Sequence, residues 1–208
     1  MAVIAAIEAG GTKFICGLGK ENGEVIERIS IPTTTPDETM RKVIEYFSDK
    51  EFDVMGVGSF GPIDPVKGSE TYGYITKTPK PYWSDFNMIG ELKKHFDVPM
   101  EFDTDVNGAA LAESWWGAGE GLKNVMYITV GTGIGAGAVV NGRMVQGLTH
   151  PEMGHIFIKR HKDDKFEGRC PFHKDCLEGM AAGPAIEARW NKKGIELADR
   201  TEVWEMEA

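Results

Sequence analysis

The sequence has little cysteine, no long apolar run and no excess of positive charge, and each shortage excludes something. Three cysteines in 208 residues, two of them close together, do not make a disulfide framework. No apolar stretch approaches the roughly 18 residues of a membrane-spanning helix, so no membrane partner is expected. The opening MAVIAAIEAGG lacks a basic leader and runs straight into a glycine-rich turn, which does not read as a secretory signal; a cytoplasmic location is expected. Lys and Arg number 23 against 32 Asp and Glu, a formal net charge of −9. That balance disfavours a broad nucleic-acid surface, although small phosphorylated ligands need only local donors. Glycine, by contrast, is abundant at 26 residues, clustered at turns where backbone can approach a ligand closely. The length suffices to bury a core in one large or two small domains.

The stretch around which the rest is organised is His150-Pro-Glu-Met-Gly-His155 with the run Cys170-Pro-Phe-His-Lys-Asp-Cys176 that follows. Zinc takes four tetrahedral ligands from thiolate sulfur and imidazole nitrogen. Cys170, His173 and Cys176 sit in a tight C-x2-H-x2-C spacing that cannot surround an ion alone, and His155 supplies the fourth corner. A site with four protein ligands has no open position and is structural. Its expected role is to hold a loop so that Glu152 is aimed. Two buried free thiols beside unrelated histidines would be the plainer account.

Along the chain, Val3 to Ile7 and Phe14 to Leu18 read as strands around the turn Glu8-Ala-Gly-Gly-Thr-Lys13. A strand follows where a Walker A loop would have a helix, so this is a hairpin offering backbone N–H groups and the Thr12 hydroxyl to an anion. A third strand is expected over Glu24 to Ile31. Thr35-Pro36-Asp37-Glu38 carries a helix start, with Thr as N-cap, Pro at the first helical position and Glu closing a capping box. Val54 to Val57 reads as a strand ending in Gly58-Ser-Phe-Gly-Pro62, which suits either a ligand contact or a plain turn. Lys67 to Ser84 reads as a polar loop, followed by a helix marked by Ile89, Leu92 and Phe96 and a strand over Val98 to Phe102. Asp103-Thr-Asp-Val-Asn107 then opens a helix expected over Ala109 to Trp116; an Asp there either caps the helix or serves as a general base. The glycines at 117, 119 and 121 mark the expected boundary between lobes, 1–118 and 119–208.

Val125 to Val130 is expected as a strand, Gly131-Thr-Gly-Ile-Gly-Ala-Gly137 as a second glycine-rich turn, and Ala138 to Val140 as the returning strand. Asn141-Gly142 is a strong hairpin signal. The order strand, Gly/Thr turn, strand, Asn-Gly therefore occurs twice, at Ile7 to Gly23 and at Ile128 to Gly142, which points to a duplicated fold with two phosphate-facing hairpins. Past the cysteine run, Gly183-Pro184 places N–H groups at a helix start, and a last short helix is expected from Thr201 to Ala208.

Glu-Ala-Gly-Gly-Thr-Lys (8–13), Thr-Asp-Val-Asn (104–107), Gly-Thr-Gly-Ile-Gly-Ala-Gly (131–137), Glu-Met-Gly-His (152–155) and the Cys/His cluster occur together and in order. In this the chain resembles the ROK family of sugar kinases, and within it the bacterial fructokinases. The resemblance implies an α/β, actin/hexokinase-like (ribonuclease H-like) duplicated fold of two lobes flanking an ATP-binding cleft. Family members run longer, so the second lobe would be incomplete at its C-terminal end. The resemblance also implies ATP with Mg2+, a structural Zn2+, a sugar substrate and a homodimer. Carried over by position, Asp105 would be the catalytic base. Gly11, Thr12, Lys13, Thr132 and Gly133 would lie near the phosphates and Pro184 near the nucleotide. Gly61, Pro62, Asn107, Glu152, His155 and Glu178 would lie on the sugar side, and His155, Cys170, His173 and Cys176 would ligate zinc. Thr104 and His173 depart from the residues usual in the glucokinase branch, which favours fructose over glucose. A non-catalytic remnant of such a kinase, a sugar-binding regulator and a kinase preferring mannose or glucose also fit these residues. A sugar-responsive repressor would need a DNA-binding segment ahead of the first turn.

Overall fold

A computed structural model describes residues 2–207. The chain divides into two compact units that interleave along the sequence. One holds the residues up to Met126 together with Gly137–Pro151, and the other holds Tyr127–Ala136 and the residues from Glu152 onward.

The first unit is built on a five-stranded sheet. Strands β1 (Val3–Ala9), β2 (Lys13–Lys20) and β3 (Val25–Pro32) form an antiparallel meander. Strands β4 (Val54–Ser59) and β7 (Met100–Thr104) then extend the sheet in parallel from β1, giving the order β3-β2-β1-β4-β7. Parallel neighbours require a crossover, usually a helix, and α1 (Pro36–Phe47) provides the one between β3 and β4. Its start follows the sequence in its N-cap: Thr35 accepts from the Glu38 N–H through its side chain, with Pro at the first turn, whereas the Glu38 carboxylate accepts from the Thr34 hydroxyl and Lys42 Nζ instead of closing a capping box. Met40, Val43 and Phe47 lie on its buried face at the spacing of an amphipathic helix. Helix α2 (Met88–Lys93) is shorter than its apolar pattern implied, and Phe96 lies beyond its end.

The polar stretch from Lys67 to Ser84 is more than a loop. Strand β5 (Tyr74–Ile75) pairs with β6 (Phe86–Asn87), and Trp83 is fully buried. Its ring packs against Phe14, Phe60 and Phe86, while its Nε1–H donates to the Thr34 carbonyl at 2.8 Å. One aromatic with a satisfied polar edge anchors the segment, which composition alone does not reveal. Cys16 is also in this core, and burial pushes its thiol up to about 12.

A three-stranded sheet of order β10-β9-β8 follows, from β8 (Asn124–Val130), β9 (Ile134–Val140) and β10 (Arg143–Met144). Asn141 and Gly142 both take positive φ, 51° and 75°, as a two-residue hairpin turn demands. Strand β9 starts at Ile134, four residues earlier than expected, so Gly135 and Gly137 are strand residues rather than turn. The reason is close packing on helix α3 (Asp105–Trp116): a Cβ on Gly137 would meet the Val106 carbonyl oxygen at 2.2 Å. Met126, Ile128 and Val130 alternate on one face of β8 and are each more than half exposed. The remaining helices are α4 (Leu177–Ala181), α5 (Gly183–Trp190) and α6 (Thr201–Glu207). The expected last helix is thus present, and Ala208 lies outside the described residues. Among the described residues, no helix is long and apolar enough to cross a membrane.

Candidate functional site

In the first unit, three predicted elements lie at the same end of the sheet, because β1, β4 and β7 run parallel and so end together. The turn after β1 carries Gly11, Thr12 and Lys13, all exposed. It is held from behind: the Gly10 N–H donates to the Lys13 carbonyl at 3.0 Å, the Thr33 N–H to the Thr12 carbonyl at 3.0 Å, and the Thr33 hydroxyl to the Gly10 carbonyl at 2.7 Å. The turn after β4 carries Gly61 and Pro62, joined by a cis peptide. The junction of β7 and α3 carries Asp105 and Asn107. The C-terminal edge of parallel strands is where α/β folds place ligands.

At that junction the capping question is settled in favour of neither aspartate. Thr104 is the N-cap: its Oγ1 accepts from the Asn107 N–H at 3.1 Å. Asp105 is therefore the first helical residue, and its Oδ1 accepts from the Val106 N–H at 2.9 Å. A carboxylate there is favoured by the helix N-terminus. Asn107 is buried, with its side-chain amide donating to Asp103 Oδ1 at 2.9 Å. Its Oδ1 has no partner among the described residues, and a buried acceptor of that kind is one a ligand hydroxyl can satisfy.

In the second unit, Gly131, Thr132 and Gly133 form a tight turn closed by a Gly131 N–H to Gly133 carbonyl bond of 2.8 Å. The Gly183 N–H donates to the Gly131 carbonyl at 2.8 Å, so the start of α5, with exposed Pro184 in its first turn, abuts this turn. Glu178, on α4, accepts from the Ile134 N–H at 2.9 Å through Oε2. The other side of the same residue is covered by Gly154, where a Cβ would stand 1.8 Å from the Ile134 carbonyl oxygen. Ile134 is thus clamped at both its N–H and its carbonyl.

The elements that make this clamp also bear the Cys/His cluster. Gly154 lies in a short 3-10 turn, Met153–His155, that Glu152 introduces; Glu152 is exposed and its carbonyl accepts from the His155 N–H at 3.0 Å. Cys176 directly precedes α4 and is paired with Phe157 in an isolated bridge. His155 Nδ1 lies 3.4 Å from Cys176 Sγ and 3.6 Å from Cys170 Sγ, and His173 Nδ1 lies 3.8 Å from Cys170 Sγ. The ligand atoms of all four residues fall within 4.8 Å of one another. Ligands at zinc's usual bond lengths stand about 3.3–3.8 Å apart at the corners of a tetrahedron, so the set fits such an ion. Cys170 and Cys176 are buried while His173 is exposed. Burial, and then the neighbouring Cys170 sulfur, push the Cys176 thiol above its ordinary range; a divalent cation between the sulfurs reverses this and takes thiolates.

The sequence profile of the ROK family matches residues 4–206. The chain belongs to the ROK family. A Bacillus subtilis (strain 168) relative is 55% identical to this ROK chain over 205 residues, 99% of this chain and 69% of that one. The fructokinase of Pediococcus pentosaceus is 49% identical over 202 residues, 97% of this chain and 70% of its own. Among solved structures, the ROK hexokinase of Thermus thermophilus superposes with a TM-score of 0.77 at 24% identity, over 98% of this chain and 72% of that one. The fold is accordingly the mixed α/β, hexokinase-like fold of ROK proteins, and the chain spans about seven-tenths of these relatives' length.

Three features of the ROK chain had no signal in sequence. His150 opens the organising stretch, yet its role shows only in a contact with a turn 87 residues earlier. The capping role of Thr104 was obscured by two flanking aspartates. Glu178 was expected on the sugar side, and its carboxylate holds the second Gly/Thr turn through Ile134. If that bond positions the turn, Glu178→Ala weakens ATP binding by about tenfold, the order of one lost charge-assisted hydrogen bond. Glu178→Gln, which keeps an acceptor, restores most of it. Calorimetric titration with a non-hydrolysable ATP analogue checks this; equal affinities in both variants would remove the turn-holding role.

Proposed function

We propose that the chain is an ATP-dependent hexose kinase whose preferred substrate is fructose, converting fructose and ATP to fructose 6-phosphate and ADP. The observation that carries the reading is Asp105: a carboxylate at the first position of α3, at the ligand-binding edge of a parallel sheet, with capping left to Thr104. The choice of fructose is supported by the high identity to the Pediococcus pentosaceus fructokinase across 97% of this chain.

In this reading the lobes are residues 1–118 and 119–208, a boundary drawn at the glycines 117, 119 and 121, whereas by packing the residues up to Met126 and Gly137–Pro151 group with the first unit. The Asp105 carboxylate accepts the proton of the sugar hydroxyl as its oxygen attacks the γ-phosphorus, which makes a poor nucleophile adequate. Phosphoryl transfer otherwise depends on positioning and on charge stabilisation. Backbone N–H groups around Gly11, Thr12 and Lys13, and around Thr132 and Gly133, face the phosphates, with Pro184 beside the nucleotide. Mg2+ bound with ATP supplies neutralisation of the phosphate charge. The residues assigned to the sugar side are Gly61, Pro62 and Asn107 in the first unit, the last with an acceptor that has no partner among the described residues, and Glu152, His155 and Glu178 in the second. A zinc ion held by His155, Cys170, His173 and Cys176 has all four positions filled, so its contribution is structural. The resemblance to ROK kinases supports a cytoplasmic homodimer, and the acidic balance of the chain supports a small-molecule partner rather than nucleic acid.

The test is phosphorylation of fructose, mannose and glucose by the purified chain with Mg2+ and its bound metal retained, the products read by phosphorus NMR. Fructose 6-phosphate formed faster than either other ester is the expected result. Absence of any sugar phosphate from folded, metal-containing protein would overturn the reading for this chain.

A further inference from the structure

The turn that carries Gly61 and Pro62 is fixed by bonds from three directions. At its start, the Phe60 N–H donates to the Ala9 carbonyl at 2.8 Å. In the middle, the Pro62 carbonyl accepts from the Thr76 N–H at 2.8 Å and from the Thr76 hydroxyl at 3.0 Å. At its end, the Ile63 N–H donates to His150 Nε2 at 3.1 Å. Ile63 is buried and its backbone bridges to that of Ile75, so its N–H is shielded from bulk water and its acceptor matters. The imidazole also lies along the turn itself: a Cβ on Gly61 would stand 3.3 Å from His150 Cε1 and 3.5 Å from Nε2. A ring nitrogen that accepts a hydrogen bond carries no proton, so the bond from the Ile63 N–H requires Nε2 to be an unprotonated nitrogen.

We propose that His150 is a positioning residue for sugar binding: its unprotonated Nε2 holds the Ile63 N–H and its ring backs Gly61, which together fix the Gly61–Pro62 turn on which the sugar is seated. The inference rests on the kinase reading, since that reading puts the sugar at this turn. It assigns the specificity side of the site a residue that touches neither sugar nor nucleotide. The predicted signature is a loss confined to one substrate. Sugar affinity depends on His150 through the Gly61–Pro62 turn it holds, and nucleotide affinity is expected to be unaffected.

The experiment compares the wild-type chain with His150→Gln, His150→Asn and His150→Ala, by calorimetric titration with fructose and with a non-hydrolysable ATP analogue. A glutamine reaches far enough to place its Oε1 near the position of Nε2, whereas an asparagine does not. The expected result is a fructose Kd raised about tenfold in the Asn and Ala variants, the order of one lost hydrogen bond. It returns to within about twofold of wild type in the Gln variant, with the nucleotide Kd the same in all four proteins. Nitrogen-15 NMR of the wild-type ring reads the tautomer directly and should show Nε2 without a proton. Fructose affinity equal in Gln and Asn variants, or a protonated Nε2 in the wild type, would overturn the proposal while leaving the kinase reading intact. A wild-type chain that binds nucleotide and no hexose would overturn the kinase reading, and this inference with it.

Discussion

Replacing Asp105 by asparagine is expected to lower kcat for fructose phosphorylation by about a thousandfold, within the range contributed by a general base. Fructose affinity should change by less than about threefold. The argument is geometric. Asn is isosteric with Asp, so the packing at the β7–α3 junction is preserved, and an amide oxygen can still accept the Val106 N–H that Asp105 Oδ1 accepts now at 2.9 Å. The helix keeps its start because Thr104, not Asp105, caps it. On the proposed mechanism, what the variant loses is the ability to take a proton from the sugar hydroxyl in the transition state. An interaction made only there lowers kcat and leaves ground-state binding alone. Steady-state ADP release and calorimetric titration with fructose, measured on the same preparation, separate the two. A variant with near wild-type kcat would remove Asp105 from its role as base, and so would one that has lost sugar binding in step with turnover.

Cys170→Ser is expected to abolish stoichiometric metal binding and to lower the thermal midpoint by roughly 10 °C. A metal present at about a thousand times its Kd stabilises the folded state by about 4 kcal/mol, and about 1 kcal/mol moves the midpoint of a chain this size by roughly 2–4 °C. Cys170 is the residue to test because it is buried and lies near both His155 and His173, so its loss opens the set from the inside. The consequence extends to the second Gly/Thr turn. His155 adjoins Gly154 and Cys176 precedes α4 with Glu178, the two groups that clamp Ile134. Metal loss should therefore weaken nucleotide binding as well as stability. Elemental analysis and differential scanning calorimetry on wild type and variant check the first two outcomes. A variant that keeps one metal per chain and an unchanged midpoint would sink the assignment.

Some of this is legible in the sequence. Thr35 and Pro36 specify the start of α1 through chemistry confined to four residues, and the spacing of Met40, Val43 and Phe47 specifies its buried face; both are as the pattern required. The clustering of His155, Cys170, His173 and Cys176 was legible too, because sulfur and imidazole donors are scarce enough in this chain that a C-x2-H-x2-C run with one upstream His carries information. The long polar segment before Asp85 misled because its anchor is one residue. Trp83 finds its partners in Phe14, Phe60 and Phe86, and two of these come from distant parts of the chain. The extent of the second glycine-rich turn misled for a related reason. Glycine in a strand and glycine in a turn are the same letter, and only the approach of the Val106 carbonyl to Gly137 decides between them.

By itself the sequence determined the family, the α/β class, the helix starts and the residue types available for proton transfer, phosphate contact and metal binding. These follow from local periodicity, capping chemistry and donor spacing, all of which act within a few residues. Only the tertiary structure decided where Glu178 directs its carboxylate and what His150 holds. Those outcomes depend on bonds between residues tens of positions apart, and the partner of a buried N–H is chosen by how strands and helices pack, which no short stretch encodes.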